Sequence, residues 1–115
     1  MSGMVQIDGM RTQGGMNARE HHQARARRVR SERESVAWSL HGHIKPDLPC
    51  VVTLTRFAPS SGMDDDGLCG ALKGVRDQVA AWLGVDDKLR DVVRYEYAQA
   101  RGKWAVRIEW RPMQV

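Results

Sequence analysis

The sequence predicts an α+β fold with a small mixed sheet and two main helices, and three observations indicate it. The β-branched run at residues 50–57 is typical of a well-buried strand. Apolar residues recur at helical spacing over residues 68–83. Apolar and polar residues alternate at 93–97 and again at 104–110, which predicts two more strands. The predicted order of elements is (β)-α-β-α-β-β.

The length of 115 residues is typical of one domain. Residues 1–16 are rich in Gly, Gln and Met, so we expect a flexible N-terminal segment with a short strand at 4–7, followed by a domain over 17–115. No apolar run approaches the roughly 18 residues that span a bilayer, and the start lacks the pattern of a signal peptide. We therefore expect no membrane partner and a cytoplasmic protein.

The first main helix is predicted over residues 17–40, with Asn17 as its N-cap and a glycine stop at Gly42. Its apolar face is predicted to carry His22, Ala26, Val29, Val36 and Leu40. The net charge is +4, and much of the positive charge is concentrated in this helix. The arginines in question are Arg19, Arg25, Arg27, Arg28, Arg30 and Arg33.

The last two strands are predicted to form a hairpin that turns at Gly102. On the second of them, Trp104 and Trp110 share a face, and this face is a candidate for pairing two subunits. The two cysteines, Cys50 and Cys69, lack the spacing of a zinc site and are interpreted as core thiols.

The sharpest feature is the run Asp64-Asp65-Asp66, directly before the second helix. One or two aspartates at this position need no function beyond capping, because they satisfy free amides and complement the helix dipole. Three exceed that need, and hard cations such as Mg²⁺ bind carboxylates and water. A second acidic pair, Asp86-Asp87, follows the helix. A straight helix over 67–83 would separate the two groups by about 25 Å, so a shared site needs a bent helix or two subunits.

These acidic groups carry a family resemblance. The run Asp64-Asp65-Asp66-Gly67-Leu68, a lysine-bearing helix, and then Gly84-Val85-Asp86-Asp87 resemble the pattern of the RusA-like Holliday junction resolvases, D-x-D-N-L followed by D-D. A strand before the first group, two strands after the second and an arginine-rich first helix extend the similarity over residues 17–110. Many proteins of this type belong to phages or prophages.

The resemblance implies a homodimeric, Mg²⁺- or Mn²⁺-dependent endonuclease of recombination and repair that hydrolyses branched DNA. It implies Asp64, Asp66 and Asp87 as metal ligands. Lys73 is the candidate for stabilising charge on the attacked phosphate; the alternative is a solvated lysine on a helix face. The arginines of the first helix would contact DNA phosphates.

Two departures from the family pattern motivate rival interpretations. Gly67 stands where the family has Asn, and Gly70 stands where it has a lysine. The main rival is therefore a non-catalytic DNA-binding phage protein that keeps the resolvase fold. A second is a protein-binding adaptor that uses the basic helix against an acidic partner and leaves the aspartates as caps.

Overall fold

The computed structural model describes residues 2–12, 22–60, 62–85 and 91–113. Three helices and four strands occur within them, and the predicted class, α+β with a mixed sheet, is confirmed. In chain order the elements are β1 (Gly3–Asp8), α1 (His22–Leu40), β2 (Cys50–Ala58), α2 (Asp65–Ala71), α3 (Lys73–Leu83), β3 (Val93–Arg101) and β4 (Ala105–Pro112).

The strands are arranged in the order β1-β4-β2-β3. β4 is antiparallel to both of its neighbours, β1 and β2, whereas β3 is parallel to β2. The parallel pair is joined by α2 and α3, as a parallel connection requires a long crossover. β2 is the most buried strand, since residues on both of its faces are buried and it has a partner on each side.

The predicted hairpin between the last two strands is wrong. β3 and β4 lie on opposite sides of β2, and the short loop between them crosses the end of that strand. The loop is fixed there by a hydrogen bond of 3.0 Å from the Gly102 amide to the Ala58 carbonyl. Alternation of side chains predicts strands correctly, but it does not say which strands pair.

The second main helix is divided in two at Leu72, which has φ −101° and ψ 5°. Hydrogen bonds still continue across the break, from the Leu72 amide to Leu68 and from the Arg76 amide to Leu72. Glycines at 70 and 74 flank the interruption and lower the helical preference of this stretch. Two consecutive helices therefore stand where the sequence predicted one, and the interruption belongs to the bent alternative that the sequence left open.

The helices cover one face of the sheet, where the core lies. α1 packs against α3 and β1, and the core joins side chains of these helices to alternate residues of all four strands. Trp110 is 3% exposed and belongs to this core. Its ring lies 5.0 Å from that of Trp82 and 5.7 Å from that of His43. The face of β4 proposed for subunit pairing is thus filled by the chain itself.

The local sequence predictions have mixed outcomes. The short N-terminal strand is confirmed as β1, and α1 ends at Leu40 as predicted, whereas its predicted start at Asn17 lies outside the described residues. Ala26 is exposed rather than part of the apolar face. Cys50 is buried, and burial raises the pKa of its thiol above the ordinary 9.0; Cys69 is exposed and is not a core thiol.

Candidate functional site

β1, β2 and β3 end at the same end of the sheet, and β4 begins there. The pairing shows this, because Asp8 and Phe57 are both paired with Ala105, and Ala58 is paired with Arg101. We call this the exit end. It comprises residues 8–12, 58–60, 62–66 and 101–105. Ligands of sheets that contain parallel strands usually bind beyond the carboxyl ends of those strands, so a binding site is expected at the exit end.

The predicted acidic run Asp64-Asp65-Asp66, here called the acidic segment, lies at the exit end. Asp64 is the N-cap of α2, and its Oδ1 accepts a hydrogen bond of 2.8 Å from the Gly67 amide. Asp65 and Asp66 occupy the first turn of α2. All three side chains are exposed. The capping interpretation therefore accounts for Asp64, while the other two carboxylates face solvent.

The cap of α2 explains why a glycine occupies position 67. A Cβ at this position would lie 2.6 Å from Oδ1 of Asp64, so any larger residue would push the capping carboxylate aside. The glycine that departs from the family pattern thus makes room for the cap. At Gly70, the other departure, a Cβ would meet nothing within 4 Å, so this position is open.

The acidic segment is anchored to β3 by a residue that sequence reasoning missed. Gln99 accepts a hydrogen bond of 2.8 Å from the Met63 amide and donates one of 2.7 Å to the Met63 carbonyl. This pair holds the chain directly before Asp64. No sequence signal identifies Gln99, because the contact joins residues 36 positions apart.

Lys73 is the first residue of α3, beyond the break at Leu72. Its Nζ lies 3.0 Å from Oδ2 of Asp77, one turn along the same helix, and the lysine side chain is largely exposed. Asp66 lies on α2 and Lys73 on α3, so the two side chains belong to different helices. The remaining contact is an ordinary surface ion pair.

The third predicted metal ligand, Asp87, lies outside the described residues, as does its neighbour Asp86. Within the described part of the chain, no group of three or more His, Cys, Asp or Glu side chains is arranged to hold a metal ion. Of the three predicted metal ligands, the structure therefore describes Asp64 and Asp66, both in the acidic segment.

The predicted DNA-binding arginines of α1 differ in their exposure and in their contacts with other side chains. Arg25, Arg27 and Arg30 are exposed on α1. Arg28 is turned inward and forms an ion pair of 3.2 Å with the buried Glu32. Arg33 is exposed, and its Nε donates a hydrogen bond of 3.1 Å to Gln78 of α3.

Arg33 thus also joins α1 to α3, whereas the ion pair of Arg28 lies within α1. Arg19 lies outside the described residues. An open groove of about 710 Å³ runs beside the exposed arginines; Arg25, Arg30 and Arg33 line it together with apolar residues of α1.

Arg56 is the most buried charged residue in the described part of the chain. It lies in the central strand on the helix-covered face and is only 4% exposed, and this burial lowers the pKa of its guanidinium. Its Nε donates a hydrogen bond of 2.9 Å to the hydroxyl of Thr12, and its guanidinium lies 5.4 Å from the ring centre of Trp104. Sequence reasoning did not single out Arg56, because a lone arginine in a strand gives no signal.

No protein-family model matches the chain, and no curated protein matches it. The resemblance to the resolvases therefore depends on the acidic motifs and the order of elements. Among the described residues, no helix has both the length and the apolar character needed to cross a membrane.

Proposed function

We propose that the protein is a Mg²⁺-dependent endonuclease that acts on branched DNA, including Holliday junctions. The observation that carries this proposal is the acidic segment: three adjacent, exposed carboxylates that follow the carboxyl end of the central strand. One of them caps α2 and a second can complement its dipole, so the third adds negative charge that the helix does not require.

The donor chemistry of the acidic segment fits Mg²⁺ or Mn²⁺. Carboxylate oxygens are the ligands that such hard cations prefer, and one or two of them with several waters are enough. Asp64 and Asp66 would hold the ion, with Asp87 as the third ligand that the family resemblance implies. With an ion held there, the site would have the means to activate a water molecule and to stabilise charge on a phosphate. Gln99 contributes by fixing the backbone from which these carboxylates extend.

Contacts to DNA phosphates are assigned to the exposed arginines of α1. Arg25, Arg27 and Arg30 are accessible, and guanidinium groups bind phosphates through charge and forked hydrogen bonds. The N-terminal half of α1 lies near the exit end, because Arg28 and residues 7–11 line one cavity. Positive charge for the DNA backbone and negative charge for a metal are thus close to the same end of the sheet.

The biological setting follows from the same proposal. Two incisions in a four-way junction are supplied directly by a homodimer with two identical sites, which is the assembly we propose. Such a dimer could complete the acidic segment with Asp87 from either subunit. The proposed location is the cytoplasm, and the proposed role is in phage or host DNA recombination and repair, within a RusA-like fold.

A second function is favoured by the local geometry at Gly67. Because Asp64 is engaged as a cap and Gly67 replaces the family's Asn, a protein that binds branched DNA without cutting it would show the same features. In that case the exposed arginines of α1 would bind DNA, and the acidic segment would serve only as the N-terminus of α2.

Cleavage of a labelled four-way junction separates the two functions. The first predicts cleavage by the full chain with Mg²⁺ and none with a chelator. It also predicts that Asp66→Asn lowers the rate more than about 100-fold, because metal stabilisation of phosphoryl transfer amounts to several kcal/mol.

Glu109→Gln, an exposed carboxylate on the open face of β4, is the matched control and should cleave like wild type. Junction binding without cleavage at any divalent-ion concentration would instead support the second function.

A further inference from the structure

A cleft of about 600 Å³ lies at the exit end and is distinct from the acidic segment. Three basic side chains and two aromatic rings line it, and we call it the basic cleft. The cations are Arg11, Lys103 and Arg107, and the rings are Phe57 and Trp104. Asp8 is the one carboxylate of a described residue in its lining, and it accepts a hydrogen bond of 2.9 Å from Gln6. The cleft therefore carries an excess of positive charge.

The walls of the basic cleft are tied together by contacts between distant parts of the chain. The Gly9 amide donates a hydrogen bond of 2.7 Å to the Trp104 carbonyl. The buried Arg56 binds Thr12 on one side and stacks on Trp104 on the other. Since Met10 and Thr12 are both buried, they fix the backbone on either side of the exposed Arg11. The cleft is thus preformed rather than a gap between loops.

The opposite wall is equally well held. Nε and Nη2 of Arg107 donate hydrogen bonds of 3.2 and 3.0 Å to Oε1 of Gln6. The same guanidinium lies 5.0 Å from the ring centre of Phe57. Arg107 therefore presents a fixed, planar cation, and planar cations and aromatic rings are the surfaces on which unpaired bases stack.

We propose that the basic cleft binds a single-stranded stretch of nucleic acid, with Arg11 and Lys103 at the phosphates and a base stacked beside Trp104 or Arg107. The combination of cations and partly exposed rings is that of single-strand binding sites, which pair an electropositive groove with aromatic platforms. A duplex offers its bases only at their edges, whereas a cleft of this size falls within the range of about 300–1,000 Å³ that encloses small groups. The inference deepens the proposed function and shares only its DNA ligand, because single-strand binding needs no metal.

The test measures binding of a fluorescent oligothymidylate to the full chain in the presence of a chelator. The double variant Arg11→Ala/Lys103→Ala removes two cations from the cleft. Its matched control, Lys45→Ala/Arg94→Ala, removes two exposed cations elsewhere. We expect the cleft variant to weaken binding at least about fivefold more than the control. We also expect it to reduce the slope of log affinity against log salt by about 1.4, because each phosphate contact on a single strand contributes about 0.7.

Competition identifies the ligand class. An abasic oligomer of the same length should compete at least about fivefold less well than the oligothymidylate, since stacking contributes about 1–3 kcal/mol per base. Equal loss of affinity in the cleft and control variants would overturn the proposal. Equal competition by the abasic oligomer or by polyglutamate would overturn it as well, since the cleft would then be a general anion site.

The result is independent of cleavage. If the protein binds oligothymidylate through the cleft but does not cleave junctions, the proposed nuclease activity is refuted and the single-strand site is retained. If it cleaves junctions but does not bind oligothymidylate, the single-strand site is refuted and the nuclease activity is retained.

Discussion

The acidic segment and the basic cleft lie at the same end of the sheet, but they are held in place by different kinds of contact. The acidic segment is continuous in sequence, and the described contacts that position it are its own helix cap and the anchor from Gln99. The basic cleft is assembled from three separate stretches of chain and held by hydrogen bonds and ring contacts to Arg56, Gln6 and Gly9. The first is positioned by one cap and one anchoring side chain, whereas the second is positioned by several contacts between distant parts of the chain.

This difference suggests separate roles for the two regions. A preformed cleft suits a ligand whose backbone and bases are recognised in place, because little ordering is needed on binding. Exposed carboxylates on the first turn of a helix suit an ion that arrives with its own waters. Opposite charges at one end of the sheet would then bring a DNA strand and a cation close to each other.

The largest expected effect concerns the residue that holds the cleft. Arg56→Ala removes hydrogen bonds to Thr12 and the contact with Trp104, and it leaves a cavity and a buried hydroxyl without its partner. We expect the free energy of unfolding to fall by about 2–4 kcal/mol. Urea denaturation measures it, with the exposed Arg94→Ala as control, expected to stay within about 0.5 kcal/mol of wild type. A change no larger than that of the control would show that the cleft is not held through Arg56.

A smaller effect is expected in the acidic segment, where two glycines form a matched pair. Gly67→Ala places a methyl group against the capping carboxylate of Asp64, whereas Gly70→Ala meets nothing. Both gain helix propensity, so the loss of the cap should leave Gly67→Ala less stable than Gly70→Ala by about 1 kcal/mol. In an Asp64→Ala background the difference should disappear. A difference that persists there would mean that Gly67 is needed for a reason other than the cap.

Local features of this molecule could be predicted from the sequence, and long-range ones could not. The strand at residues 50–57 and the end of α1 at Leu40 follow from β-branched composition and a glycine stop, which act within a few residues. The pairing of β3 with β2 depends on contacts across more than 40 positions, and alternation is the same for either partner.

The candidate site residues show the same contrast between local and long-range features. The aspartate run is visible because it is contiguous, and the sequence argument already allowed that one aspartate would be a cap. Arg28 was interpreted as a phosphate contact because its neighbours are arginines, but the burial of its partner Glu32 depends on which side of α1 packs against the rest of the fold. Arg56, Gln99 and the basic cleft gave no signal, because each acquires its role from residues far away in the sequence.

The central claim is that the acidic segment does more than begin a helix, and Asp64→Asn tests it most directly. Asn caps a helix as well as Asp does but lacks the charge that a divalent ion requires. Calorimetric titration with Mg²⁺ and Mn²⁺ should show binding to wild type and an affinity at least about tenfold weaker for Asp64→Asn, while the urea midpoint stays unchanged. No binding to wild type, or equal binding to both proteins, would contradict the account and leave these aspartates as a cap.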